Sequence, residues 1–334
     1  FRYSGVFDGK LNEAVCDGHL ATAIGSVDVD AAYRLDSITG SRFLLGNIDI
    51  DSFDLGTLLD KKDFGTLSAS IDADAVLKGG EVNGDFDINL DRFIFKDYEY
   101  GNATFHGNVD KRRIDGAFTV DDDNVKVKLE GWADFSEKML TCDVEGYVKD
   151  FNPHALHLIQ SHPGYSLASD IDVKIKGHNP DHADGKAELS RLSFKDAAGN
   201  GVGLSHLTLL ASGTTTPQFI VLRSDIFEGQ LSGHYRFKDI VPAGKHLLST
   251  VFPALIPAGE YVPDEDNNVD LTLNFELREN DITNKWLEFF KSPVKVLHPV
   301  TIESALNTAT RNMRLTVDAP YLLTVSYTHL TLPT

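Results

Sequence analysis

The chain has 334 residues, 42% hydrophobic and 24% charged, which is enough apolar material to fold and excludes a disordered polar chain. Fifty Asp and Glu against 31 Lys and Arg leave a formal charge of −19. That balance argues against a nucleic-acid binder, which needs a basic stripe to displace counterions, and against docking on an anionic membrane surface. No run of about 18 apolar residues is present to cross a bilayer as a helix.

The chain begins at Phe1 with no charged and apolar leader, so a missing N-terminus is expected. From there the dominant signal has period two. Apolar and polar residues alternate through Val27 to Ala31, Ala69 to Ala75, Phe86 to Leu90, Val125 to Glu130, Ile171 to Lys176 and Leu271 to Leu277. Successive strand side chains point to opposite faces, so each segment has one oily and one wet face, as in antiparallel sheets. Asp8-Gly9, Asp17-Gly18, Thr39-Gly40, Gly79-Gly80, Asn83-Gly84, Asp115-Gly116, Asp184-Gly185 and Gly199-Asn200-Gly201 carry turn signals, some of them inside strand patterns where a bulge or bend is the other reading. Asp121 to Asn124 reads as a hairpin tip. Well over a dozen strands are expected.

Short helices interrupt the strands: after Phe53 with Asp54 as N-cap, after Phe151 with Asn152 as N-cap and Pro153 in the first turn, after Ile240 near Lys245 to Val251, and over 281–290. The first three mark a degenerate repeat with units ending near 60, 160 and 255. Residues 178–185 and 263–268 read as exposed loops. The fold expected is all-β: a long antiparallel meander curled into an elongated, taco-like groove over residues 1–324, with a few helical excursions. The tail 325–334 resembles one reading frame of a transposase sequencing adapter and is set aside as non-native, so the chain is expected to be an internal fragment.

Candidate chemistry is sparse. His154, His157 and His162, and His178 with His182, match no metal-ligand spacing, and the Asp49, Asp51, Asp54 and Asp121 to Asn124 clusters lack the glycine and closing Glu of a calcium loop. Gly203-Leu204-Ser205-His206 lacks the second glycine of a nucleophile elbow, and Gly199 to Gly203 has no following helix for a dinucleotide. No enzyme activity, metal or cofactor is expected. Cys16 and Cys142 are too few for a disulfide framework, and whether they pair is open.

The oily face itself remains. Candidate lining residues are Val27, Val29, Ile71, Ala73, Phe86, Ile88, Val125, Val127, Leu129, Ile171, Val173, Ile175, Leu271, Leu273, Phe275 and Leu277. At about 0.8 kcal/mol per methylene, an acyl chain of about 15 carbons gains on the order of 10 kcal/mol before ordering costs. The alternative is a β-rich surface adhesion or carbohydrate-binding module with a dry core.

Several segments carry a resemblance: Tyr98 to Val109, Ile114 to Asp122, Val125 to Asp134, Gly18 to Gly25, Phe53 to Gly56 and Ile226 to Tyr235. In strand pattern and glycine spacing they resemble the TamB/AsmA-like translocation and assembly proteins, in the long Bacteroidota style. The resemblance covers most of residues 1–290 and implies a periplasmic bridge that shields phospholipid acyl chains between inner and outer membranes. It further implies an inner-membrane anchor outside this fragment and an outer-membrane barrel assembly partner; that no nucleic acid is bound is the expectation from the charge.

Overall fold

A computed structural model describes residues 1–10, 12–136, 139–251 and 268–324. The adapter-like tail 325–334 and, apart from Asn268, the expected loop 263–268 lie outside the described residues. The fold is an open, curled antiparallel meander, with strand in 66% and helix in 10% of the described residues. It divides into two compact units, Phe1–Ile171 and Asp172–Thr334.

The first unit contains β1 (Arg2–Lys10), β2 (Glu13–Thr22), β3 (Gly25–Leu35), β4 (Arg42–Asp54), β5 (Phe64–Lys78), β6 (Glu81–Phe95), β7 (Tyr98–Lys111), β8 (Arg113–Asp122), β9 (Val125–Asp134) and β10 (Leu140–Phe151). Each pairs antiparallel with the next. The sheet does not close on itself. Helix α1 (Leu55–Leu59) follows β4 and is capped by Asp54, whose carboxylate accepts the Thr57 amide at 2.9 Å. The expected tip at Asp121 to Asn124 is a tight turn between β8 and β9.

Two expectations need correcting in this unit. The segment after Asn152 forms turns instead of a helix, although Asn152 does accept the Ala155 amide at 3.0 Å. His157 sits at φ 56°, in the left-handed region that ends a helical run. The Asp8-Gly9, Asp17-Gly18, Asn83-Gly84 and Asp115-Gly116 pairs are neither turns nor bulges; they lie inside paired strands, as does Asp184-Gly185 of the second unit. The register shifts fall elsewhere, between Ile50 and Phe53 on β4 and, where β5 pairs β6, between Phe64 and Leu67 and between Ser68 and Ala69.

Strand β11 (Ser166–Gly177) spans the boundary of the units. The second unit continues with β12 (Ala183–Lys195), β13 (Gly201–Ser212), β14 (Gln218–Ser224), β15 (Phe227–His234), α2 (Phe237–Val251), β16 (Asp270–Leu277), α3 (Asp281–Phe289), β17 (Val294–Val296), β18 (Val300–Asn307), β19 (Asn312–Asp318) and β20 (Leu322–Thr324). Helix α2 starts earlier than the expected helical stretch and takes in Ile240 and Pro242. Its Ile240, Ala243 and Leu247 recur at helical spacing and pack with Tyr235, Val269, Leu271 and Leu306. Helix α3 is capped by Asn280, which accepts the Thr283 amide at 2.8 Å. Its Trp286 packs against a cluster of Leu192, Leu204 and Ile226 and donates to the Gly203 carbonyl at 3.0 Å.

Candidate functional site: an open apolar lane

The registers of the first unit turn the alternation into rows that run across all ten strands. One row is Gly5, Gly18, Val29, Ile48, Ile71, Ile88, Phe105, Phe118, Leu129 and Gly146. The next on the same face is Tyr3, Leu20, Val27, Ile50, Ala69, Leu90, Ala103, Val120, Val127 and Val148. On the other side of the first row come Phe7, Cys16, Ala31, Gly46, Ala73, Phe86, Gly107, Gly116, Gly131 and Val144, then Gly9, Ala14, Tyr33, Leu44, Ala75, Gly84, Val109, Ile114, Ala133 and Cys142. These four rows hold no charged residue and no Ser, Thr, Asn, Gln or His. At about 3.4 Å per residue and 4.8 Å per strand, the lane measures roughly 20 Å along the strands and 43 Å across them.

Its side chains are not packed as a core. The buried members are the alanines Ala14, Ala31, Ala69, Ala73, Ala75 and Ala103. The valines, isoleucines and leucines of the rows are half-buried, and Ile114 and Phe118 remain 39% and 40% exposed. Among the described residues, neither buried hydrophobic cluster draws on these rows.

Glycine and aromatic residues shape the floor. Gly107, Gly116 and Gly131 stand side by side on three strands. A Cβ on Gly131, whose φ is 143°, would lie 2.1 Å from the Asp143 carbonyl oxygen, so no other residue fits without the backbone moving. The Phe105 ring covers the gap: its Cζ lies 2.7 Å from where a Gly107 Cβ would be. Such glycine kinks, with bulges, are the devices that curve a sheet.

At one end of the lane β5, β6 and β7 carry a cluster of aromatic rings. Phe64, Phe93, Phe95, Tyr98 and Tyr100 form a chain of ring contacts there, with centroids 4.7 to 6.3 Å apart. The Tyr100 hydroxyl donates to the carbonyl of Leu156, which is only 1% exposed. Tyr98 donates to Asp122, and burial, with that bond second, pushes its hydroxyl pKa up.

The opposite face is acidic. Its central row reads Val6, Asp17, Asp30, Asn47, Asp72, Asp87, His106, Ala117, Glu130 and Glu145. His19 pairs with Asp28 at 2.8 Å, and His106 pairs with Asp87. Among the described residues no three His, Cys, Asp or Glu side chains converge as metal ligands.

Of the sequence-predicted residues, Val27, Val29, Ile71, Ala73, Phe86, Ile88, Val127 and Leu129 share this lane, and Val125 lies on the same face beyond it. Ile171, Val173 and Ile175 alternate with exposed Asp172, Lys174 and Lys176 on β11. In the second unit Leu273 and Phe275 sit in apolar rows with Leu231, Ile220, Leu222 and Leu209. Leu271 is 5% exposed and lies in the cluster under α2, while Leu277 stands opposite Phe227 and Val300. The alternation also placed Phe105 and Phe118 in phase with the oily face, where the registers put them; it missed residues such as Ile48, Ile50 and Val120. The alternation in Asn47 to Asp51 carried the signal for the first two.

The Ser205–His206 pair is a structural tie. The Ser205 hydroxyl donates to Asp225, as do the Ser205 and His206 amides. Burial alone would raise the Asp225 carboxyl, but these hydrogen bonds outweigh it and hold the pKa low.

Cys16 and Cys142 are both free thiols, on β2 and β10. Comparison of the chain with protein-family models, curated protein sequences and solved structures returned no match.

Proposed function

We propose that the apolar lane of the first unit shields the acyl chains of phospholipids during transport between membranes. The observation that carries this reading is a strip ten strands wide with no polar side chain but two tyrosines, uncovered by the protein's own core. Such a strip offers hydrocarbon everything and a polar ligand nothing. Its 20 Å extent along the strands exceeds the length of one leaflet's chains, about 15 Å for half of a 30 Å hydrocarbon core. Residence in the periplasm, an inner-membrane anchor and an outer-membrane barrel partner are drawn from the family resemblance and complete the proposal. No residue acts as a catalyst in it.

Photo-crosslinkers at Val29, Ile71 and Val127 are expected to capture lipid in cells, and crosslinkers at Asp72 and Lys128 are not. Val127→Asp is expected to impair lipid passage more than Val127→Ala, because a carboxylate in hydrocarbon costs several kcal/mol whereas a lost isopropyl group costs about 1. Lipid captured only from the acidic face contradicts the proposal. The dry-core alternative draws its support from the second unit, where α2 and α3 do cover apolar side chains.

A further inference from the structure

The lane has one chemically distinct border. Beyond the row of Tyr33 and Leu44 comes a fifth row on the same face: Leu35, Arg42, Leu77, Val82 and Lys111. Arg112 follows Lys111 in the hairpin turn, where its carbonyl accepts the Phe135 amide at 3.0 Å. Arg42, Lys111 and Arg112 are exposed, and among the described residues none of them is paired with a carboxylate.

The described acids at this end of the strands lie in the other phase or are held locally. Asp110 and Asp134 stand opposite Arg113 in the adjacent row, which faces the other side of the sheet; Arg113 itself pairs with Asp115, and the Asp134 carboxylate accepts the Ser136 amide at 2.7 Å. Glu81 stands opposite Lys78, also in the other phase. Asp36 is held by the Thr39 hydroxyl and the Ile38 and Thr39 amides. Among the described residues of this chain of net charge −19, three cations without a carboxylate partner therefore border the hydrocarbon lane, with no acid in their row. The other end differs: aromatic rings line it on β5, β6 and β7, and it mixes Asp121, Asp122 and Asp123 with exposed Lys61, Lys62 and Lys96.

We infer that this border receives the headgroup of an anionic phospholipid, whose acyl chains run along the strands into the lane. The inference rests on the acyl-chain reading above and adds the charge class of the lipid. Charge complementarity selects the occupant: a cation beside hydrocarbon matches a molecule with an anionic group at the end of an apolar tail. Arg42 and Lys111 lie three strands apart, about 14 Å, so the border offers successive positions along a track.

The test is a binding titration of the full chain at low salt. It uses fluorescent phosphatidylglycerol and phosphatidylcholine with identical acyl chains. The wild type is expected to bind the anionic lipid about tenfold more tightly, and about 0.5 M salt is expected to erase that preference. The triple variant Arg42→Gln, Lys111→Gln, Arg112→Gln should bind both lipids alike, at the wild-type affinity for phosphatidylcholine. The wet-face triple variant Lys126→Gln, Lys128→Gln, Lys149→Gln loses the same charge and should keep the preference. The salt dependence reads the same property on the wild type should a variant fail to fold. Equal wild-type affinities, or equal loss in both triple variants, overturn the inference. Loss of the preference with millimolar inorganic phosphate alone assigns the border to free anions and also overturns it. Failure of either lipid to bind at all defeats the acyl-chain reading itself.

Discussion

At the scale of single residues, glycine does two jobs in this chain, and the dipeptide alone does not separate them. Gly79-Gly80 makes a turn, whereas the glycines of Asp8-Gly9, Asn83-Gly84 and Asp115-Gly116 lie on the lane face of paired strands. The difference is set by how closely the partner strand approaches, which no local pattern records. Gly101, with normal φ and its nearest neighbour, the Asp91 carbonyl oxygen, at 3.4 Å, provides a control. Gly131→Ala is expected to cost about 1–3 kcal/mol by forcing an L residue into a conformation it avoids, and Gly101→Ala less than 0.5. Thermal melting of the two variants checks this.

Among the elements, the strands were legible because alternation is a local property, and the whole lane follows once neighbours are paired in register. Helix α1 was legible for the same reason, through Asp54. The loop after Asn152 was not. Its conformation is fixed by distant partners, the Lys96 carbonyl at 2.8 Å from His157 Nδ1 and the Tyr100 hydroxyl on Leu156. Helices α2 and α3 reveal what a covered apolar face looks like in this protein, which makes a direct comparison available. Leu247→Ala, at a side chain 3% exposed within a packed cluster, is expected to cost 2–4 kcal/mol. Ile71→Ala in the lane should cost about 1 kcal/mol, since no cavity closes over the lost methyl groups. Urea unfolding measures both. Equal costs would mean that the lane is a dry core and would remove the basis for hydrocarbon binding.

Over the whole molecule, acids dominate, and several have low pKa values for identifiable reasons. The Thr214 hydroxyl holds Asp184 down first, against a smaller opposing effect of burial. Arg223 and then Arg278 act on Glu228, and hydrogen bonds from Ser205 and His206 act on Asp225. Each group therefore keeps its proton less readily when folded than when unfolded, so in acid the unfolded chain binds more protons. Their stabilisation is complete above the ordinary carboxylate pKa of about 3.9 and is lost as pH falls through the folded values. The urea midpoint is expected to hold steady from pH 7 to 5 and to drop between pH 4 and 3, with Asp184→Asn showing a shallower drop. The net charge was legible in the composition; the sorting of acids onto one face of the first unit needed the registers. The first unit's plan, in which each strand bonds only to its sequence neighbours, has a consequence of its own. Its folding resembles a zipper, with short loops to close and no distant partner to await. A duplicated or deleted hairpin would change the extent of the lane across the strands by about 10 Å and leave every other rung as it was, so its reach can evolve like a ruler cut to measure.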